Sequence, residues 1–283
     1  MNKKFLEKFL LLAIKEDIGD GDHTSLATIP KNHIGKAWLM VKENGIIAGV
    51  EVAHTIFHII DKRIIFHRYI KDGFPVQKGD IVFEVKGRSI SLLQAERLVL
   101  NIMQRMSGIA TQTRAYVEKI DGLHTKIIDT RKTGPGMRML EKEAVRLGGG
   151  DNHRMGLYDM ILIKDNHIDF SGGITNAINK TQAYLKKKKK NLQVVIEARS
   201  LDDIKEIMAV GHVNRILIDN FSPEQTKKAV ELINGKYKIE SSGNINLANV
   251  RQYAECGVDY ISIGSLTHKV SSLDLSLKAV VEK

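Results

Sequence analysis

The fold is decided by residues 193–242, which read QVVIEARSLDDIKEIMAVGHVNRILIDNFSPEQTKKAVELINGKYKIESS. Three short runs rich in β-branched residues, QVVIEA, RILIDN and YKIESS, alternate here with two segments of helical spacing. Ser222 supplies an N-cap for the second segment, Pro223 stands in its first turn, and Gln225 is the capping-box partner. This alternation predicts parallel strands joined by crossover helices.

The same alternation continues on both sides of this stretch, with TKIIDT and MILIKD before it and YISIG after it. Each run ends in a charged or small residue, and these ends are Asp129, Lys164, Glu197, Asp219, Ser241 with Ser242, and Gly264. In an α/β barrel the carboxyl ends of the strands open on one face, where catalysis occurs. A single member would indicate only a charged group leaving the core, but the whole series predicts one shared site.

The first hundred residues or so have a mixed and irregular pattern. LEKFLLLAIKED predicts an amphipathic helix with Phe5, Phe9 and Leu12 on one side. Short strands and turns follow, and a long helix is expected from Ser91 onward because apolar residues recur at three- and four-residue steps. Gly108 is expected to interrupt that helix.

Composition limits the function classes. The 283 residues carry 43 Lys and Arg against 33 Asp and Glu, a net charge of +10 that suits nucleic acid or a small, highly anionic substrate. No apolar stretch is long enough to span a membrane, and we expect a cytoplasmic protein. Cys256, the single cysteine, cannot form an internal disulfide and is expected to be a buried, inert thiol.

Two basic stretches carry candidate chemistry. In DTRKTGPGMR, Arg131 and Lys132 sit beside a tight Gly-Pro-Gly turn, which indicates either a basic surface loop or a clamp for carboxylate or phosphate. In GGGDNHRMGLYDMILIKDNH, His153 and Arg154 precede a strand that ends at Lys164. A lysine at that position forms a Schiff base or pairs with an anion, and the nearby cations favour the anion.

Acidic and small residues complete the predicted site. Glu197 and Asp219 end neighbouring strands, so their carboxylates should lie close together and suit Mg²⁺ bound with substrate phosphates; the alternative is a pair of salt-bridge acceptors. Ser242 and Gly243 before a helix, and Gly264 after the last strand, let backbone N–H groups approach an anion. The pattern describes a site for a phosphorylated sugar and a carboxylate.

Several ordered motifs carry a family resemblance: EDIGDGDHT, AERLVLN, MQRMSGIATQT, residues 129–167, ILIDN, ESSGNI and GVDYISIGSLTH. Together they resemble the quinolinate phosphoribosyltransferases. The resemblance implies an incomplete, TIM-like α/β barrel over residues 111–268, and an N-terminal α/β sandwich domain over 1–110 joined by the C-terminal segment 269–283. It also implies a pentosyltransferase that converts quinolinate and phosphoribosyl pyrophosphate to nicotinate mononucleotide, CO2 and pyrophosphate in NAD biosynthesis.

The resemblance also assigns roles. Quinolinate would be bound by Arg131, Lys132, His153, Arg154 and Lys164, with Arg97 entering from the neighbouring subunit of a homodimer or larger oligomer. Magnesium and the ribose hydroxyls would meet Glu197 and Asp219, and the phosphate would face Ser242, Gly243 and Gly264. The candidates for catalytic residues are then Lys132, Lys164, Glu197 and Asp219.

Two departures from the family pattern bear on these roles. Val195 stands where the family often has a second glutamate, and Asn244 where it often has a second glycine. The alternatives are a paralogue associated with molybdate transport, a Schiff-base aldolase using Lys164, and a basic nucleic-acid-binding protein. The paralogue should lack some of the quinolinate cations, all of which are present here. Aromatic residues make up only 6% and are not interleaved with basic ones, which disfavours nucleic-acid stacking.

Overall fold

The computed structural model describes residues 3–280 and divides into two compact units. The first unit contains the described residues up to Arg114, the stretch Thr133–Gly149 and the described residues from Leu266 onward. The second contains Ala115–Lys132 and Gly150–Ser265. The domain boundaries predicted from sequence place residues 133–149 with the barrel, whereas this stretch packs with the first unit. Residues 281–283 of the predicted C-terminal segment lie outside the described residues.

The helices are α1 (Lys3–Ile18), α2 (His23–Thr28), α3 (Val50–Ile60), α4 (Ser89–Lys119), α5 (Arg138–Leu147), α6 (Asp165–Ser171), α7 (Ile174–Lys188), α8 (Leu201–Val210), α9 (Pro223–Ile233), α10 (Val250–Glu255) and α11 (Ser265–His268). The strands are β1 (Ile34–Val41), β2 (Gly45–Ile46), β3 (Ile65–Arg68), β4 (Pro75–Val76), β5 (Ile81–Arg88), β6 (Lys126–Ile128), β7 (Ile161–Ile163), β8 (Val194–Ala198), β9 (Arg215–Asp219), β10 (Lys238–Ser242), β11 (Tyr260–Ser262) and β12 (Leu275–Ala279). Among the described residues, no helix has the length and apolar character needed to cross a bilayer.

The first unit contains a four-stranded sheet in the order β12-β1-β5-β3, with antiparallel neighbours. Ala37, Leu39 and Val41 of β1 are buried at every second position, which is the period of a strand with one face on the core. On the same strand, Trp38 donates from Nε1 to its cross-strand neighbour Glu84 at 2.7 Å. Because β12 pairs with β1, the C-terminal part of the chain completes the N-terminal sheet.

Helix α4 continues through Gly108, so the predicted interruption there is wrong. A Cβ at Gly108 would overlap the carbonyl oxygen of Ser271 and lie 3.1 Å from its carbonyl carbon. The glycine therefore lets the backbone near Ser271 pack closely on an unbroken helix, although glycine is a weak helix former.

Helix α1 forms, but it buries a different face from the one predicted. Leu6 is 5% exposed and Leu10 is fully buried, whereas Phe5 is 52% exposed and Leu12 is 70% exposed. The helix is apolar on two sides, so its sequence periodicity alone does not select the side that packs.

The second unit contains a six-stranded parallel sheet in the order β6-β11-β10-β9-β8-β7. All the strands predicted from the alternating runs are present, and each is followed by a helix. Between the edge strands β6 and β7, Asp151 forms a single parallel bridge to Ile128 in place of a full strand. The architecture is an incomplete α/β barrel with the carboxyl ends of its strands on one face.

The predicted start of α9 is confirmed, and α8 has a similar N-cap. Ser222 accepts the N–H of Gln225 and the reciprocal capping-box bond is present, with Pro223 at the start of α9. Ser200 caps α8 by accepting the N–H of Asp203. Each cap fixes the point at which the chain leaves a strand end, and it therefore helps to fix the geometry of the barrel mouth.

Candidate active site

The carboxyl ends of four adjacent strands place the predicted polar residues together in the second unit. Lys164 follows β7, Glu197 is the penultimate residue of β8, Asp219 ends β9 and Ser242 ends β10. Parallel register joins these strands as neighbours, with Asp219 directly beside Ser242. Gly264 follows β11 on the same face. The prediction that these strand ends share one edge of the sheet is confirmed by this topology.

The acidic side of the mouth is formed by Glu197 and Asp219. Glu197 is 4% exposed, and its Oε2 lies 3.6 Å from the Nζ of Lys164. Burial raises the pKa of Glu197, the nearby carboxylates of Asp219 and Asp165 raise it further, and Lys164 opposes the shift. This crowding of negative charge leaves the pair suited to a cationic partner.

The cationic side is formed by Arg131, Lys132 and Arg154. Arg154 is 8% exposed and donates from Nη1 to the carbonyl oxygen of Met160 at 3.2 Å, while Arg131 and Lys132 are exposed. Burial and the neighbouring Arg131 lower the pKa of the Arg154 guanidinium. Two guanidinium groups held near each other are stabilised when an anion binds between them.

Protein groups lie against the backbone N–H and both ring nitrogens of His153. Its backbone N–H donates to Asp129 Oδ1 at 2.8 Å, and its Nδ1 accepts the N–H of Arg154 at 2.6 Å. Its Nε2 lies 3.4 Å from Oε2 of Glu240. The family resemblance assigned His153 to substrate binding, and the structure places both of its ring nitrogens against protein groups.

Glu240 and Arg215 are site-adjacent residues that the sequence reasoning missed. Glu240 is fully buried in the middle of β10, and Arg215 Nη1 lies 2.8 Å from its Oε2. Burial alone would raise the pKa of Glu240, but His153 and Arg215 lower it below its ordinary value. The sequence did contain a signal for this pair, since Glu240 stands inside the apolar run YKIESS. An acidic side chain within a buried strand needs a cationic or hydrogen-bonding partner.

A turn built from asparagines and glycine follows β10. Gly243 has φ +95°, and Asn220 and Asn244 also have positive φ, at 58° and 52°. The N–H of Asn220 donates to the carbonyl oxygen of Ser242 at 2.9 Å, and Asn244 Nδ2 donates to Asn220 Oδ1 at 3.2 Å. Asparagine at position 244 adopts the left-handed conformation that a glycine would also adopt.

Two further predictions concern Arg97 and magnesium. Arg97 lies on α4 in the first unit, and its side chain is exposed.

The magnesium prediction concerns Glu197 and Asp219. Within residues 3–280, no group of three or more His, Cys, Asp or Glu is placed to hold a metal ion. A cation bound by these two carboxylates would have to take its remaining ligands from substrate and water, as Mg²⁺ commonly does.

Comparison with known proteins identifies similar chains. The family model described as "Quinolinate phosphoribosyl transferase, C-terminal domain" matches residues 109–278, and the corresponding N-terminal domain model matches residues 22–107. The chain is 42% identical to "Quinolinate phosphoribosyltransferase [decarboxylating] 2b, mitochondrial" from Nicotiana tabacum, with 98% of this chain and 83% of that protein covered.

Two bacterial proteins are also similar to this chain over nearly its whole length. A "Probable nicotinate-nucleotide pyrophosphorylase [carboxylating]" from Bacillus subtilis is 42% identical, covering 98% of this chain and 94% of that protein. The crystal structure of NadC from Streptococcus pyogenes superimposes with a TM-score of 0.93 at 39% identity, covering 99% of both chains.

Proposed function

The chain belongs to the quinolinate phosphoribosyltransferase family, and from that premise we infer that it is a pentosyltransferase acting on quinolinate and phosphoribosyl pyrophosphate. The products are nicotinate mononucleotide, pyrophosphate and CO2, so the enzyme is a nicotinate-nucleotide pyrophosphorylase (carboxylating) of NAD biosynthesis. We expect it to act in the cytoplasm, a reducing compartment that suits a chain with a single, unpaired cysteine.

One observation carries the proposal: a cationic side and an acidic side meet across the carboxyl ends of neighbouring barrel strands. Lys164 is a further cation of this site, and its Nζ lies 3.6 Å from Oε2 of Glu197 on the acidic side. A dianionic pyridine and a magnesium-bound diphosphate need opposite environments a few ångströms apart, and this arrangement supplies both.

Quinolinate binding falls to Arg131, Lys132, Arg154 and Lys164. Moving a dianion out of water is costly unless fixed cations replace its hydration. Arginine matches a carboxylate with two parallel N–H donors, so the two guanidinium groups suit the two carboxylates. The buried position of Arg154 strengthens this contact because little water competes for it.

Phosphoribosyl transfer falls to the acidic side. The bond between the ribose C1 and the pyrophosphate oxygen breaks, the electron pair leaves with pyrophosphate, and the quinolinate nitrogen forms a new bond to C1. Glu197 and Asp219 stabilise the electron-poor ribose carbon and orient the ribose hydroxyls. Magnesium held by these two carboxylates and the diphosphate would neutralise the charge of the leaving group. The backbone at Ser242, Gly243 and Gly264 binds the 5′-phosphate.

Decarboxylation follows from the charge on the new pyridinium nitrogen. The bond to the carboxylate at C2 breaks, its electron pair remains on C2, and the adjacent cationic nitrogen stabilises that carbanion. A proton is then added at C2, and the ammonium groups of Lys132 and Lys164 are the candidate donors. The chemistry requires no covalent nucleophile on the protein.

The aldolase alternative fits the geometry less well. A Schiff base requires an amine that is free to attack a carbonyl carbon, but Nζ of Lys164 lies 3.6 Å from the Glu197 carboxylate and forms an ion pair with it. Trapping with borohydride and a carbonyl substrate is therefore expected to leave the mass of the protein unchanged.

The function is tested by following nicotinate mononucleotide with quinolinate or nicotinate as acceptor. We expect product from quinolinate together with one CO2 per turnover, loss of activity on chelation of divalent metal, and recovery with Mg²⁺. Product from nicotinate but not from quinolinate would overturn the assignment, and full activity in excess chelator would remove magnesium from it.

We also propose that the enzyme works as a homodimer or larger oligomer, with Arg97 of one subunit entering its neighbour's site. Support comes from the exposed position of Arg97 on the polar side of α4. Variants Arg97→Ala and Lys164→Ala, each inactive alone, should recover about a quarter of wild-type activity when their subunits are mixed as a dimer. In the mixed dimer one site combines an intact Lys164 with an intact Arg97. No recovery after verified subunit exchange would place both residues in the site of one subunit.

A further inference from the structure

A buried ionic network lies directly behind the cationic part of the site. Glu240 is fully buried, and its Oε2 lies 2.8 Å from Arg215 Nη1 and 3.4 Å from His153 Nε2. All three residues belong to the second unit. Because Glu240 is fully buried, its partners within the protein define its role.

The hydrogen bonds of His153 define the protonation of its ring. Nδ1 accepts the backbone N–H of Arg154 at 2.6 Å, so Nδ1 carries no proton in this arrangement. The proton of the neutral ring is then on Nε2, the nitrogen that faces Glu240. A carboxylate facing Nε2 selects that tautomer and fixes the ring orientation.

The charge of Glu240 is balanced by Arg215. The sheet neighbour of Arg215 on β8 is the buried, apolar Val195, so β8 provides no acid at this level. Arg215 also stacks over the ring of Tyr260, with its guanidinium carbon 3.9 Å from the ring centroid. Arg215 is thereby directed toward Glu240, which leaves the carboxylate ionised and available to accept from His153.

We propose that Glu240 is a positioning residue for quinolinate binding: it orients His153, whose Nδ1 holds the Arg154 peptide so that the Arg154 side chain faces the dicarboxylate. Asp129 completes the arrangement by accepting the His153 N–H at 2.8 Å. This proposal rests on the proposed function, because it deepens the role of the same site.

A double-mutant cycle tests whether Glu240 acts through His153. Glu240→Gln removes the charge at nearly constant volume, and we expect the KM for quinolinate to rise about tenfold, as when a carboxylate that orients a functional histidine is lost. The KM for phosphoribosyl pyrophosphate should stay within about twofold. Glu240→Gln combined with His153→Ala should be no worse than His153→Ala alone, because the two changes remove one interaction.

Two controls separate positioning from stability. Lys238 is the first residue of β10, the strand that carries Glu240, and its Nζ lies 2.6 Å from Oδ1 of Asp259. Lys238→Met removes this ion pair and should leave both KM values unchanged. Glu240→Asp keeps the charge but shortens the side chain by one methylene group, and it replaces Glu240→Gln in the test if that variant does not fold. It should raise the KM for quinolinate and leave the KM for phosphoribosyl pyrophosphate unchanged.

Several outcomes would overturn the proposal. These are additive losses in the double variant, equal changes in both KM values, and a lower melting temperature with an unchanged KM for quinolinate. In ¹⁵N spectra of histidine-labelled wild type, with His153 assigned by its absence in His153→Ala, a ring protonated on Nδ1 alone would also refute it. If wild type forms no nicotinate mononucleotide from quinolinate, the proposed function fails instead, and the two failures are distinguishable.

Discussion

Gly243 offers the sharpest test of how the turn after β10 is built. A Cβ at this position would overlap Asn220 Oδ1 and lie only 2.8 Å from the Asn220 backbone nitrogen. That nitrogen cannot retreat freely, because its N–H donates to the carbonyl oxygen of Ser242 at 2.9 Å. Gly243→Ala must therefore move the turn or break this hydrogen bond.

The expected cost has two parts. An alanine at φ +95° is strained by about 1–2 kcal/mol. Overpacking against Asn220 adds about 1–3 kcal/mol, so the variant should lose roughly 2–5 kcal/mol of stability in total. At about 2–4 °C per kcal/mol for a unit of this size, the melting temperature should fall by roughly 4–20 °C. Losing one charge-assisted bond to the phosphate should raise the KM for phosphoribosyl pyrophosphate about tenfold or more.

Gly235→Ala is the matched control. Gly235 has φ +73°, and a Cβ there would meet nothing within 4 Å, so this variant carries the backbone strain without the close approach. Both variants are measured by thermal unfolding and by the two KM values. If Gly243→Ala and Gly235→Ala behave alike in melting temperature and in the KM for phosphoribosyl pyrophosphate, the argument from close approach is refuted.

Three other predictions concern the cations of the site, the ion pair between Asp61 and Arg63, and the thiol of Cys256. Arg154→Ala and Lys132→Ala should each lower kcat/KM for quinolinate by about tenfold to several hundredfold with unchanged circular dichroism, and near-normal turnover in both would contradict their roles. Hydrogen bonds from Arg63 hold the pKa of Asp61 well below its ordinary value, so its stabilising effect is complete above about pH 4–5 and is lost as the pH falls further. Urea unfolding from pH 7 to 3 should therefore show a steeper decline for wild type than for Asp61→Asn, and parallel curves would exclude this contribution. Cys256 is half-buried rather than buried as predicted, and this partial burial still raises the pKa of its thiol. Ellman's reagent at pH 7.5 should therefore react more slowly with native than with unfolded protein, and equal rates would show an accessible thiolate.

The positions of the barrel strands and the residues at their carboxyl ends were predictable from sequence. Strand and helix periodicities are local, and caps such as Ser222 act within one turn. Once the strands are parallel, their ends must share one edge, which brings Lys164 to Glu197 without further information. The charge pattern of the mouth was therefore already contained in the order of the residues.

Other features depended on which surfaces meet. Gly108 continues α4 because the backbone at Ser271 packs against it, and α1 buries Leu6 and Leu10 because only one of its two apolar sides packs. Neither partner is visible in the local sequence, where a glycine reads as a helix breaker and both sides of α1 read as apolar.

The sequence by itself determined the alternating elements, the convergence of polar strand ends and the family motifs of residues 129–167, because each depends on neighbours along the chain. Only the tertiary structure decided the partners of Glu240. His153 lies 87 positions earlier, in the segment before β7, and Arg215 lies 25 positions earlier, at the start of β9. Folding brings one nitrogen of each residue within 3.4 Å of the same carboxylate oxygen. The physical reason is that a buried charge is stabilised by whichever groups the packed core places next to it, and distance along the chain carries no information about that choice.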